Sequence, residues 1–233
     1  MIHNANAEAK PVHDLARLSY LQSLFVHRRV LIVGDDPALS EYLVAARARW
    51  VCAASEDEPP GGWPAGADGR EFCTVRYDDL GFRDGLFDLA IVSDLSRVRD
   101  PLPLLTEARR VVGARGTVVV ASPNPACEQR IGAPAAQAGL DYYELYDLLA
   151  EAFESVQMVG QSGFLGYQIS DLGSEEEEPT IAFDGTLLGE ESEEIEWFLA
   201  VCGAEPSELE PLAVLQIPLA AGSLGAGSAE ELE

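Results

Sequence analysis

The sequence predicts an α/β domain built on a mainly parallel sheet with helices on both faces. Short apolar runs rich in β-branched residues, typical of buried parallel strands, alternate along the chain with segments whose apolar residues recur at helical spacing. Such alternation places consecutive strands in parallel and joins them by right-handed crossovers. With 233 residues, 47% of them hydrophobic, the chain can bury one sizeable core, so one domain is expected.

The pattern gives bounds for most elements. Seven strands are predicted, at 29–34, 50–55, 70–77, 87–95, 117–124, 154–161 and 194–203. Four helices are predicted, at 12–26, 35–47, 101–112 and 140–153. The connection at 56–70 is too interrupted by proline and glycine for a full-length helix, and residues 213–217 are a candidate for one more strand.

The termini and one insertion differ in composition from the domain. We expect a flexible N-terminus at 1–11, the domain at 12–218 with an acidic insertion at 173–196, and a linker-like tail at 219–233, rich in Gly, Ser and Ala. The N-terminus lacks the profile of a secretory signal, and no apolar run reaches the roughly 18 residues of a membrane span. A cytoplasmic location is therefore expected.

Cysteine and histidine spacing argues against a metal site or a disulfide framework. The four cysteines lie far apart without a CxxC pair, and the three histidines are all near the start of the chain. The cysteines are expected to be thiols in or near the core; they are Cys52, Cys73, Cys127 and Cys202.

The charge is high and unevenly distributed. The net charge is −25, and the last basic residue is Arg130; the 103 residues after it contain 22 Asp and Glu, whereas the first 130 residues carry only −3. The acidic segment after Arg130 repels phosphate backbones and anionic lipid, so nucleic acid and membranes are expected to be poor partners. Two interpretations remain open: a solvated face that keeps the protein soluble, and a docking face for a protein partner, with a basic one favoured by charge.

Several segments, taken in order, resemble class I S-adenosylmethionine-dependent methyltransferases, especially the type-11 group. The segments are RVLIVG, VRYDDLGFRDGLFDLAIVSDL, EARRVVGARGTVVVASPN and YYELYDLLAEAF followed by ESVQMVGQSGFLGY. The resemblance covers roughly residues 27–203 and is most specific at 76–124. It implies a Rossmann-like sheet whose last strand is antiparallel, with the methyl donor bound beside the loop after the first strand.

The donor loop departs from the family pattern. In the family, an acidic residue is followed by Gly-x-Gly-x-Gly, whose glycines let the backbone approach the ligand closely. The corresponding positions here are Ile32, Gly34, Asp36 and Ala38, so one glycine of three remains. Pro37 also stiffens the loop.

The remaining donor contacts are also reduced. The second strand ends in Ala54 and Ser55, where the family has the acid that holds the ribose. Asp78 or Asp79 remains where the family contacts the adenine amine, and Ser93 and Asp94 stand at the end of the fourth strand, facing the usual ligand crevice. Each lost buried hydrogen bond costs roughly 1–3 kcal/mol, which lowers affinity by powers of ten when several are lost. The resemblance thus implies a vestigial donor site at Gly34, Asp36, Ser55, Asp78 and Ser93, with no cofactor expected to bind.

No catalytic residue stands out. A group of aromatic residues could line an acceptor pocket, although at their spacing helix packing is the commoner reason for them; they are Tyr142, Tyr143, Tyr146, Phe164 and Tyr167. The favoured hypothesis is a non-catalytic methyltransferase-like domain that acts as a protein-interaction module. The alternative is an active S-adenosylmethionine-dependent methyltransferase acting on a small molecule or a protein.

A second alternative is a receiver-like switch. Asp35 and Asp36 would then be the acid pair that binds magnesium, and Asp94 would accept the phosphate. The distance along the chain from Asp36 to Asp94 is long for such a domain, and no lysine follows the fifth strand.

Overall fold

The computed structural model describes residues 12–34, 36–58, 69–127, 139–164, 195–204, 209–215 and 217. The helices are α1 Val12–Tyr20, α2 Gln22–Phe25, α3 Pro37–Ala45, α4 Pro101–Val112 and α5 Tyr142–Ala152, with a 3-10 turn at Leu95–Arg97. The strands are β1 Arg29–Val33, β2 Trp50–Ser55, β3 Arg70–Thr74, β4 Leu89–Val92, β5 Thr117–Pro123, β6 Ser155–Gln161 and β7 Trp197–Gly203.

The seven strands form one sheet in the order β3-β2-β1-β4-β5-β7-β6. Strands β1 to β5 are parallel to one another, and β7 lies between β5 and β6, antiparallel to both. The prediction of a mainly parallel sheet with an antiparallel last strand is confirmed. The strand order reverses between β1 and β4, so the crevice beyond their carboxyl ends is the expected ligand position in such a sheet.

Alternate side chains of the strands face opposite sides of the sheet, and most of the buried ones belong to two cores, with a smaller cluster of Ala121, Trp197 and Leu199 on β5 and β7. On one face, α4 and α5 bury Leu104, Leu105, Leu145 and Leu149 against residues that include Leu31. On the other face, α1 to α3 bury Leu18, Leu21, Phe25 and Leu43 against residues that include Ile32. Neighbouring residues Leu31 and Ile32 serve opposite faces because side chains alternate along a strand.

Some element bounds differ from the predictions. The helix predicted at 12–26 is divided at Leu21, and β3 and β4 are shorter than predicted. The prediction of a strand at 213–217 is wrong for the described residues 213–215 and 217, which have no strand structure. Leu212 and Val214 are exposed there, so the apolar run has no sheet edge to bury it.

The predictions for 1–11, for the tail at 219–233 and for nearly all of the acidic insertion concern residues outside the described part of the chain. Within the described part, no helix is both long and apolar enough to cross a membrane. Cys52, Cys127 and Cys202 are buried, which confirms them as core residues, and Cys73 is half-buried. Burial raises the pKa of the Cys202 thiol to about 12.

Candidate functional site: the crevice at the carboxyl ends of β1 and β4

The retained glycine of the loop has a backbone conformation that favours glycine. Gly34 directly follows β1 and has φ +130°, a region that L side chains rarely adopt. Its amide donates to the carbonyl of Ala54 at 2.9 Å, which ties the start of the loop to β2. A Cβ placed on Gly34 would meet no atom within 4 Å, so the requirement comes from the backbone angle and not from space.

Asp36, which stands where the family has its second glycine, caps α3. Its Oδ1 accepts a hydrogen bond from the Leu39 amide at 2.9 Å, and Pro37 is the first residue of the helix. A helix N-terminus at this position would otherwise offer its amides to a bound ligand. The Asp36 carboxylate instead occupies the helix end and brings its own negative charge.

At the end of β2, Ser55 and Glu56 accept hydrogen bonds from nearby backbone amides. Ser55 is buried, and its Oγ accepts from the Asp57 amide at 3.2 Å. Glu56, the next acid along the chain, accepts from the Tyr77 amide at 3.2 Å. Both side chains therefore accept hydrogen bonds from backbone amides in the segments that follow β2 and β3.

Asp78 lies on the rim of a small cavity beyond β2 and β3. It is exposed and accepts from Arg76 Nε at 2.9 Å; this partner lowers the pKa of Asp78 below its usual value. The cavity measures about 280 Å³, slightly below the size usual for small-molecule pockets. Its lining includes three carboxylates and two guanidinium groups, from Glu56, Asp78, Asp100, Arg76 and Arg99.

The polar residues at the end of β4 also form hydrogen bonds within the protein. Asp94 caps the 3-10 turn, with Oδ1 accepting from the Ser96 amide at 3.0 Å and from Ser96 Oγ at 2.6 Å. The carbonyl of Ser93 accepts from Arg17 Nη1 at 3.1 Å. Arg17 belongs to α1, so a residue distant in sequence has entered the crevice.

Arg17 is the residue of this site that the sequence reasoning missed. Its side chain is only 4% exposed, and the guanidinium carbon lies 4.6 Å from the centre of the Trp197 ring. Nη1 is 3.4 Å from Asp14 Oδ1, and Nε donates to Gln161 Oε1 at 3.4 Å. Burial lowers the pKa of Arg17, while Asp14 and Asp94 act in the opposite direction. The available signal was its spacing, since Arg17 lies one helical turn before the buried Leu21.

Two buried polar atoms remain unsatisfied at this point. Nη2 of Arg17 and Oγ of Ser93 have no hydrogen-bond partner in the described part of the chain. Such atoms carry a desolvation cost that the contacts of the same side chains must offset.

The tyrosines of α5 are exposed, but Tyr142 also packs edge-on against the core residue Phe198, so the packing interpretation holds in part for Tyr142 and is wrong for Tyr143 and Tyr146. Tyr142, Tyr143 and Tyr146 are 41%, 75% and 41% exposed, and α5 is anchored instead by Leu145 and Leu149. The helix packs on the opposite face of the sheet from α1 and Arg17. Phe164 is also exposed, and Tyr167 lies outside the described residues.

The aspartates that a receiver-like switch would use for magnesium and phosphate have different structural roles here. Asp36 caps α3 and Asp94 caps the 3-10 turn, while Asp35 is not among the described residues. No group of three or more metal-ligating side chains occurs within the described ranges.

Solved structures with the same architecture identify the fold. No protein-family model matches the sequence, and no curated protein matches it significantly. The structure is similar to an S-adenosylmethionine-dependent methyltransferase from Aquifex aeolicus, with a TM-score of 0.54 at 14% identity over 82% of this chain and 88% of the other. It is also similar to the 1,6-didemethyltoxoflavin-N1-methyltransferase of Burkholderia thailandensis, with a TM-score of 0.51 at 15% identity over 83% and 78% of the two chains. The chain has a class I methyltransferase-like fold.

The methyltransferase-like fold is shared with at least one protein that is described as a different enzyme. The cyclase SpnF matches with a TM-score of 0.50 at 17% identity over 67% of this chain and 65% of the other. The fold alone therefore does not fix the reaction.

Within this methyltransferase-like fold, the predicted site residues fall into two groups. Gly34, Asp36 and Ser93 lie at the carboxyl ends of β1 and β4, beside the switch point of the sheet. Ser55 and Asp78 lie beyond β2 and β3, and Asp78 lines the cavity there. Arg17 joins the first group from α1.

Proposed function

We propose that this chain is a non-catalytic, methyltransferase-like module that binds another protein. The observation that carries the proposal is the buried guanidinium of Arg17 at the carboxyl end of β4. Open α/β sheets bind their ligands in this crevice. A protein side chain fixed there by Ser93 and Trp197 occupies the space and the hydrogen-bonding groups that a ligand needs.

The charge of Arg17 also opposes the methyl donor. S-adenosylmethionine carries a sulfonium cation, and like charges repel strongly in a site that excludes water. Asp14 and Asp94 compensate Arg17, but the nearest contact between charged atoms is 3.4 Å, from Nη1 to Asp14. The carboxylates of Asp14 and Asp94 therefore already compensate the charge of Arg17, so they would not also compensate the sulfonium of the donor.

The polar side chains that stand at the positions of the family's donor contacts form hydrogen bonds within the chain. Asp36 caps α3, Ser55 accepts from Asp57, and Asp78 pairs with Arg76. A donor would have to replace these contacts, and each replacement returns only the difference between two similar hydrogen bonds. The described residues thus fit S-adenosylmethionine poorly.

The surface of α5 supports a role in protein binding. Exposed tyrosines are enriched at the centres of protein–protein interfaces, and adjacent exposed aromatic rings are uncommon on a surface that has no partner. Tyr142, Tyr143 and Tyr146 form such a group. The acidic half of the chain favours a basic partner.

Thermal unfolding with S-adenosylhomocysteine tests the proposal. A ligand bound at about 100 times its Kd stabilises by about 2.7 kcal/mol, which raises the Tm of a chain of this size by several degrees. We expect no change in Tm at millimolar ligand. A rise that grows with ligand concentration would contradict the proposal.

The second candidate is an active S-adenosylmethionine-dependent methyltransferase. Two observations favour it: Gly34 keeps the backbone angle of a donor loop, and Asp78 lies at the cavity beyond β2 and β3. It would require Arg17 to leave the crevice when the donor binds.

A further inference from the structure

We propose that the exposed side of α5 is a docking face for an arginine-rich segment of a partner protein. The α5 docking face comprises Tyr142, Tyr143, Tyr146, Asp147 and Glu151, all of them exposed. The inference rests on the proposed protein-binding function and names the surface and the chemistry of the partner.

The rings of the α5 docking face are arranged by the helix. Tyr142 and Tyr146, one turn apart, are stacked at 6.5 Å between ring centres with 11° between planes, and Tyr143 meets Tyr142 edge-on at 5.3 Å. Tyr142 also packs edge-on against Phe198 of β7, at 5.9 Å. Flat, exposed π-faces of this kind bind a guanidinium group by stacking.

The start of α5 is held rigidly. Asp141 Oδ1 accepts from the amides of Tyr143 and Glu144 at 2.8 and 2.9 Å, and the Glu144 carboxylate accepts from the Asp141 amide at 3.1 Å. This capping box fixes the first turn, while Leu145 and Leu149 anchor the helix to the sheet. A face ordered before binding loses little conformational entropy when a partner docks.

Charge selects the partner. Residues 139–164 contain five acidic residues and no basic one. Asp147 follows Tyr143 by one helical turn, and Glu151 follows Asp147 by another. The Tyr143 ring and the two carboxylates therefore lie along the same side of α5. In the described part of the chain neither carboxylate forms an ion pair, whereas Glu154 pairs with Arg109. An arginine can stack on a ring and donate to a carboxylate at once; a second copy of this chain, at −25, would be repelled.

Fluorescence anisotropy with a labelled probe tests this inference on the full chain. The probe is a twelve-residue peptide of alternating arginine and glycine, and the comparison peptide has lysine in place of arginine. We expect the arginine peptide to bind several-fold more tightly than the lysine peptide. The double variant Tyr143→Ser/Tyr146→Ser is expected to weaken binding of the arginine peptide about ten-fold and to remove its advantage over lysine.

Matched variants separate the α5 docking face from the general acidity of the chain. Phe164→Ser removes an exposed aromatic residue elsewhere, and Glu41→Gln/Glu58→Gln removes two exposed acids elsewhere; both are expected to leave arginine-peptide binding within about two-fold. Asp147→Asn/Glu151→Gln is expected to weaken it and to reduce its salt dependence. Circular dichroism checks that each variant is folded.

Two results would overturn the docking face: equal loss of binding in the control and α5 variants, or equal affinity for the two peptides. Binding of S-adenosylhomocysteine would instead contradict the non-catalytic function and leave the peptide measurements unaffected. The two failures are therefore distinguishable.

Discussion

Replacing Arg17 with methionine tests whether the guanidinium in the crevice is a net stabilising part of the fold. Methionine keeps most of the length and apolar character of the stem, so Arg17→Met removes mainly the charge and its hydrogen bonds. The affected contacts are those to the Ser93 carbonyl at 3.1 Å and to the Trp197 ring at 4.6 Å.

The magnitude follows from these contacts. A hydrogen bond from a charged donor contributes about 1.5–3 kcal/mol, and a partly desolvated cation–π contact about 1 kcal/mol. The contacts to Asp14 and Gln161, both at 3.4 Å, add little. Removal of the unpartnered Nη2 returns about 1–3 kcal/mol of desolvation. The midpoints of these ranges give a net loss in the free energy of unfolding of about 1 kcal/mol, or a Tm about 2–4 °C lower.

Urea unfolding followed by circular dichroism measures this loss. The matched control is Arg97→Met, because Arg97 is 81% exposed and reaches Asp94 only at 3.5 Å; its expected effect is within about 0.5 kcal/mol. An Arg17→Met variant as stable as the wild type, or more stable, would refute the reasoning.

Three further predictions concern stability. The Asp88 carboxylate accepts hydrogen bonds from Arg29 Nε at 3.0 Å, Nη2 at 2.7 Å and the backbone amide at 2.8 Å. These bonds lower the pKa of Asp88 in the folded protein. The stability that they contribute is present above the unfolded pKa of about 4 and is lost as the pH falls through the lower folded pKa. Asp88→Asn should therefore cost about 1–2 kcal/mol at pH 7 and progressively less as the pH is lowered below about 4 in urea unfolding, and a cost that does not change with pH would contradict this. Gly113→Ala should cost about 1–3 kcal/mol in the same assay, because Gly113 has φ +67° and a Cβ would lie 3.1 Å from Gly85 Cα; an unchanged midpoint would show that the turn adapts. Replacing Glu175–Glu178 with glutamine should change stability by less than about 0.5 kcal/mol, and a large loss would indicate a packed segment.

The sheet was predictable because its signal is local. Each buried strand is a short β-branched run, and the helices that join β1 to β2 and β4 to β5 predict that the strands of each pair are parallel. The antiparallel direction of β7 followed from the resemblance to methyltransferases, because a single apolar run carries no information about its direction; the position of β7 between β5 and β6 was not predicted.

The site was less predictable because its contacts join distant parts of the chain. Arg17 and Ser93 are 76 residues apart, and nothing in either segment specifies that α1 reaches the end of β4. On α5, the tyrosines and the stripe of Leu145 and Leu149 both recur at helical spacing, and only one can face the sheet. The substitutions at Asp36 and Ser55 were visible in the sequence, whereas the hydrogen bonds that now occupy these side chains were not.

We infer that the protein's own side chains occupy the hydrogen-bonding groups at the carboxyl ends of β1 and β4. Calorimetric titration of the full chain with S-adenosylmethionine and with S-adenosylhomocysteine tests this inference most directly. We expect no heat of binding up to several hundred micromolar of either compound. Micromolar binding of either one would contradict the inference and would mean that Arg17 yields its place to the donor.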